Sequence, residues 1–237
     1  MTTLERPRLL QQLTIALQTG HVLIDAPAGY GKTTLLQHLV RQRPGSIYVD
    51  CTAADIDLAH LQPRLQPHLH PGATLVVDDV HLLAEGPESL AWLRAQRDRD
   101  DLRLVVGGRQ RLAWEREALT QLGADDLRFT AAEGLALLAR QHTARSAQTL
   151  ETWRQRLGGW PLGLQLLAQL AGSPNPLPVV QTHLFDYLVT AVFAALPASL
   201  QRFLLVTAVP LQFDDALACH LLQGNADAVA LRQVVQQ

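Results

Sequence analysis

Lys32 is the only lysine in a chain that carries 19 arginines, and it stands in Ala26-Pro27-Ala28-Gly29-Tyr30-Gly31-Lys32-Thr33-Thr34. A sequence that uses arginine for every other positive charge keeps lysine where a guanidinium cannot serve. A phosphate-binding loop is such a place, because a compact ammonium on a flexible stem reaches between the β- and γ-phosphates and a planar fork is too bulky there. Gly29 and Gly31 permit the dihedrals that turn successive backbone N–H groups inward, and the following helix N-terminus adds partial positive charge. Residues Ala26, Pro27, Ala28, Gly29, Tyr30, Gly31, Lys32, Thr33 and Thr34 are therefore expected to cradle the phosphates of a nucleotide. Lys32 would bridge the terminal phosphates, and the Thr33 hydroxyl would ligate Mg²⁺. The first glycine of the usual pattern is Ala26 here, the smallest replacement, so binding is expected to survive. The plainer alternative is a glycine-containing turn with a solvated lysine.

A second group of chemically capable residues ends the run Thr74-Leu75-Val76-Val77-Asp78-Asp79. An apolar strand that finishes in two carboxylates places Asp78 to hold the metal of Mg-ATP, through water, and Asp79 to polarise an attacking water. Strands also end in aspartate simply because their tips are solvated, and that reading stays open most widely for Asp79. His68, His70 and His81 have no cysteine or carboxylate partner at ligand spacing and read as solvated loop residues rather than metal ligands.

These residues need a scaffold. His21-Val22-Leu23-Ile24-Asp25 is a short β-branched run before the glycine loop. Leu35, Leu36, Leu39 and Val40 follow it at helical spacing. Strand, glycine loop and helix form the context that the loop chemistry demands. The pattern predicts strands at 21–26, 46–50, 74–79 and 102–107 and a short one near 127–129, with helices at 33–43, 56–67, 87–96 and about 113–122. Alternation with continuous apolar strands implies an α/β fold whose parallel sheet is covered on both faces, with ligands at the C-terminal strand edge. Residues 131–142, 147–157, 162–171, 184–195 and 199–207 all carry helical apolar spacing without a convincing strand. Ser173-Pro174-Asn175-Pro176-Leu177-Pro178 interrupts that series and reads as a semi-rigid linker and a domain boundary.

Composition narrows the function classes. A net charge of −2 across 237 residues gives no bulk attraction to nucleic acid or acidic membrane. Arg94, Arg97, Arg99 and Arg103 are interleaved with Asp98, Asp100 and Asp101, the pattern of a solvated helix end. Cys51 and Cys219 give neither a disulfide framework nor metal spacing. No run has signal-peptide or membrane-spanning character, so a cytoplasmic location without membrane contact is expected.

The motifs APAGYGKTTLL, LVVDDVHLL, the strand ending at Gly108-Arg109, LRFTAAEGLALL and Gly158-Gly159-Trp160-Pro161-Leu162-Gly163-Leu164 occur in an order that resembles STAND-class signalling ATPases. The resemblance is to the nucleotide-binding part of MalT-like, large ATP-binding LuxR-type transcriptional regulators, and it covers nearly the whole chain. It implies a P-loop NTPase (AAA-like) domain over 1–130, a helical lid over 131–172, a linker over 173–179 and a mostly helical winged-helix domain over 180–237. It further implies that Arg109 senses the γ-phosphate, that Pro161 of the Gly-x-Pro motif packs on the adenine, and that Arg6 and Pro7 border the base. Taken alone, Arg109 reads as a surface charge, and Gly159-Trp160-Pro161 as a helix stop with proline opening the next helix.

The expected function is an ATP/ADP-dependent conformational switch with slow ATP hydrolysis that serves transcriptional regulation. Nucleotide and Mg²⁺ would be its ligands, and self-association would accompany the ATP state. Protein partners, or sensor and DNA-binding domains not visible in these residues, would complete it, with no direct reading of DNA. An AAA-type ATPase that remodels a nucleic-acid complex, such as a helicase loader or transposition partner, is the alternative. A small-molecule kinase is disfavoured, because residues 131–172 are mostly apolar and lack an arginine-rich lid.

Overall fold

The computed structural model describes residues 4–109 and 119–222. Two compact units divide the chain, residues 1–177 and 178–237.

The first unit opens with helix α1, Pro7–Thr19. Proline suits its first turn, where no N–H partner is lost. Leu9, Leu10, Leu13, Ala16 and Leu17 form its buried stripe. Strands β1 (His21–Asp25), β2 (Ser46–Asp50), β3 (Thr74–Asp78), β4 (Arg103–Gly108) and β5 (Leu119–Leu122) make one sheet. Its order is β2-β3-β4-β1-β5, and every described pairing is parallel. Helices α2 (Lys32–Gln42), α3 (Leu58–Leu65) and α4 (Pro87–Ala95) connect the strands.

Successive strand residues point to opposite faces, and both faces here are dry. Leu23, Leu75, Val77, Leu104 and Val106 pack with Leu61, Leu65 and Leu93 on the side of α3 and α4. Val22, Ile24, Val76 and Val105 pack with Leu9, Leu13, Leu17, Leu35, Leu36 and Leu39 on the side of α1 and α2. That two-sided burial explains why the strands read as unbroken apolar runs.

One expected element is corrected. The strand anticipated near 127–129 lies instead at Leu119–Leu122, within a stretch read as helical, and pairs with β1 from His21↔Leu119 to Ile24↔Leu122. Residues 113–118 of that anticipated helix lie outside the described residues. Ala124–Leu127 is a helical turn, α5, whose Asp126 carboxylate accepts the Gly123 N–H at 2.8 Å. Leu127 and Phe129 are buried apolar residues, and that burial gave 127–129 its strand-like look.

Helices α6 (Ala131–Gln141), α7 (Ala147–Arg156) and α8 (Pro161–Gln169) complete the first unit. Thr130 and Glu133 form a reciprocal capping box at the start of α6. Helix α9 (Pro176–Tyr187) takes Pro176 and Pro178 into its first turn, so the non-helical stretch is shorter than the linker expected over 173–179. In the second unit α10 (Ala198–Thr207) and α11 (Asp215–Leu221) pack through Leu200, Phe203, Ala218 and Leu222. The winged-helix expectation for 180–237 is amended accordingly. The described residues of that stretch hold helices and no strand pair for a wing, and 223–237 lie outside the described residues.

Candidate functional site

The loop between β1 and α2 rests on two left-handed glycines, Gly29 (φ 81°) and Gly31 (φ 79°). Gly31 is also the N-cap of α2, so the helix begins at Lys32 with its first N–H groups open toward the loop. Lys32 is 6% exposed, and its Nζ donates to the carbonyls of Ala26 at 2.6 Å and Pro27 at 3.0 Å. Burial first, and Arg109 second, pull the ammonium's pKa below the usual lysine range, against Asp78, Asp79 and Asp25. The ammonium is thus held inside the loop by its own backbone.

Asp78 ends β3 and is fully buried. Its Oδ2 accepts the Thr33 hydroxyl at 2.6 Å and the Tyr48 hydroxyl at 3.0 Å. Its Oδ1 accepts the Asp79 N–H at 2.9 Å. Burial and Asp78 push the Tyr48 phenol up, so it remains a proton donor. A Cβ on Gly107 of β4 would lie 2.7 Å from Asp78 Oδ1, so the missing side chain there makes room for the carboxylate.

Asp79 is the one described non-glycine residue with positive φ (52°), a conformation that aspartate tolerates better than most residues. Its Oδ1 lies 3.8 Å from Arg109 Nε and 3.6 Å from His81 Nδ1. The strand order creates this grouping, because β4 runs between β1 and β3 and so brings Arg109, just past its tip, between the loop and the two carboxylates. His81 corrects its expectation as a solvated loop residue: its side chain is 17% exposed and faces Asp79. Burial lowers its pKa, with Arg109 and Lys32 acting in the same direction and Asp79 opposing.

The other wall comes from the segment before α8. Leu162 N–H donates to the Gly29 carbonyl at 3.0 Å. The Trp160 ring and Leu162 Cβ both lie 3.0 Å from where a Gly29 Cβ would stand. Gly159 (φ 74°) brings its backbone against Phe129, whose N–H donates to the Gly159 carbonyl at 2.9 Å. Arg6 is buried beneath. It donates to the carbonyls of Leu127 at 2.6 Å and Arg128 at 2.8 Å, reaches Glu133 at 3.4 Å, and lies 4.8 Å from the Phe129 ring centroid. Desolvation works against its charge and Glu133 works for it.

Between these walls is a mostly apolar cavity of about 220 Å³. Arg6, Gly29, Tyr30, Gly31, Thr34 and Pro161 of the sequence-expected set line it. Pro7, Ala26, Pro27, Ala28, Lys32 and Thr33 do not; Pro7 starts α1, Ala26 and Pro27 hold Lys32, and Thr33 bonds Asp78. Phe129, Leu162, His38 and Gln165 line the cavity without having been singled out from the sequence. Tyr48 was also missed, since a tyrosine in a strand carries no motif.

Among the described residues no group of three or more His, Cys, Asp or Glu could hold a metal ion. The Thr33–Asp78 pair nevertheless suits Mg²⁺ that arrives on phosphates, which uses one or two protein oxygens and otherwise phosphate and water. No helix among the described residues is long and apolar enough to cross a membrane.

No family model matches the chain. Among curated proteins it is similar to the HTH-type transcriptional regulator MalT of Vibrio cholerae, 27% identical over 95% of this chain and 31% of that protein. The MalT of Cronobacter sakazakii is 26% identical over 99% of this chain and 32% of that protein. The chain thus spans about a third of the length of these relatives. Among solved structures, a Walker-type ATPase of Pyrococcus abyssi superposes with a TM-score of 0.63 at 14% identity, covering 99% of this chain and 89% of that one. A STAND protein of Pyrococcus horikoshii with a tetratricopeptide repeat sensor gives 0.50 at 15% identity, covering 98% of this chain and 38% of that one. The RuvB branch migration motor of Thermotoga maritima gives 0.50 at 17% identity, covering 95% and 84%. Along nearly its whole length the chain is thus similar to about a third of the MalT regulators, and its fold is that of the P-loop ATPases.

Proposed function

We propose that this chain is an adenine-nucleotide-binding module that serves transcriptional regulation as an ATP/ADP-dependent switch with slow hydrolysis. The observation that carries the reading is the continuity of three features. Lys32 is caged in a left-handed glycine loop, the Thr33 hydroxyl touches Asp78, and an apolar cavity walled by Arg6 and Pro161 adjoins the same loop. That is the layout for a charged phosphate tail joined to a flat apolar base.

In this reading Lys32 leaves the Ala26 and Pro27 carbonyls for phosphate oxygens, so binding exchanges two neutral acceptors for charged ones. Thr33 and Asp78 would hold Mg²⁺, which supplies neutralisation of phosphate charge. Asp79, flanked by His81 and Arg109, would accept a hydrogen bond from the attacking water and orient it. Arg109 would leave Asp79 when a γ-phosphate offers more negative charge, and that difference in contacts would favour one arrangement over the other. Residues 131–172 would act as a lid, because Trp160 and Leu162 sit directly on Gly29 of the loop. Self-association in the ATP state, and sensing or DNA-binding parts like those of longer relatives, belong to the same proposal.

The remodelling alternative is less well supported, since it calls for a basic nucleic-acid track. Arg97 lies 3.3 Å from Asp98, Arg99 lies 3.0 Å from Asp101, and Arg103 donates to backbone carbonyls.

Lys32→Ala tests the reading. The variant should keep its fold and lose nucleotide affinity by about a hundredfold or more, the scale of removing a charged partner from phosphate. Unchanged ATP affinity would end the assignment.

A further inference from the structure

We infer that Tyr48 is a positioning residue for the metal-holding carboxylate, an inference that rests on the nucleotide reading above. Tyr48 lies on β2 opposite Val76 of β3. A long aromatic side chain can therefore reach diagonally to the residue two positions on, which is Asp78. It does so, with its hydroxyl 3.0 Å from Asp78 Oδ2.

The other flank of Asp78 explains why this donor is needed. On β4 the neighbouring residue is Gly107, whose missing Cβ leaves room for the carboxylate and supplies no side chain that could hydrogen-bond it. Three hydrogen bonds hold the buried Asp78 carboxylate. Oδ1 has the Asp79 N–H, while Oδ2 has the hydroxyls of Thr33 and Tyr48. Of the two hydroxyls, Thr33 stands in the first turn of α2 beside the phosphate loop and, in the nucleotide reading, would turn to Mg²⁺. Tyr48 is anchored in the sheet and would hold Oδ2 independently of the loop. The geometry therefore divides the labour: Asp78 supplies the charge, and Tyr48 supplies the angle at which the charge meets Mg²⁺.

The test is Tyr48→Phe, which keeps the ring and removes one donor. ADP affinity is titrated by calorimetry for wild type and variant, in EDTA and across a Mg²⁺ series, and Mn²⁺ binding to the ADP complex is followed by the loss of the free-ion EPR signal. The variant should match wild type in EDTA and melt within a few degrees of it. It should need about tenfold more Mg²⁺ or Mn²⁺ for half-saturation, the scale of one hydrogen bond to a charged group. An unaltered metal requirement overturns the inference. An equal loss of affinity with and without metal also overturns it, because that pattern marks a purely structural tyrosine. Wild-type protein that binds no ADP under any condition defeats the nucleotide reading itself, and the role of Tyr48 with it.

Discussion

Gly107→Ala should damage the metal side of the site while leaving the base side intact. The added methyl would stand 2.7 Å from Asp78 Oδ1 and 2.9 Å from Leu36 Cδ1, whereas comfortable carbon contacts begin near 3.5 Å. Gly107 does not have positive φ, so alanine adds no backbone strain and the whole effect comes from the methyl. Asp78 is fully buried and cannot swing into water. The carboxylate must instead retreat from the methyl, and its Oδ1 then loses the Asp79 N–H at 2.9 Å. A lost hydrogen bond to a charged group costs about 1.5–3 kcal/mol. Crowding against Leu36 adds about 1–3 kcal/mol to the loss of fold stability. The variant should bind Mg-ADP roughly ten- to a hundredfold more weakly than wild type, at about 1.4 kcal/mol per decade. Its affinity for ADP in EDTA should change much less. Calorimetric titration in both buffers, with a thermal melt of each protein, separates the two effects. A variant that binds Mg-ADP within about twofold of wild type would show that Gly107 does not hold open the space that positions Asp78.

Two further substitutions probe other parts of the site. Asp79→Asn keeps a residue that tolerates the left-handed backbone at φ 52°, so it should fold and bind ATP normally yet fail to turn it over; undiminished phosphate release would make Asp79 a bystander. Gly29→Ala puts a side chain on a φ of 81° and 3.0 Å from both Trp160 and Leu162. It should lower stability by more than about 1 kcal/mol and weaken nucleotide binding together, and a wild-type melting temperature would show that Trp160 does not pack on the loop as described.

The parts of this molecule that could be read from sequence are those whose signal is contiguous. The loop from Ala26 to Thr34 declares itself because glycines, lysine and threonine occupy fixed places between an apolar strand and a helix. Asp78 declares itself as the end of a buried strand. Arg109 became meaningful only with the strand order, since nothing local says that β4 runs between β1 and β3. Tyr48 carries no motif and His81 reads from sequence only as a loop residue, whereas their side chains reach Asp78 and Asp79 in space. The fifth strand was misplaced for a related reason: Leu119–Leu122 owes its form to the open edge of β1 rather than to a strong propensity of its own. Pro176 and Pro178 looked like a linker because proline breaks helix interiors, yet proline is equally at home in a first turn.

If this loop and cavity hold an adenine nucleotide, purified protein should carry one or capture one. The direct measurement is to denature freshly purified protein, chromatograph whatever is released, and titrate any empty protein with labelled ATP and ADP. Close to one adenine nucleotide per chain is expected, retained through purification as ADP or taken up on titration. Protein that releases none and binds none, with and without Mg²⁺, would contradict that expectation.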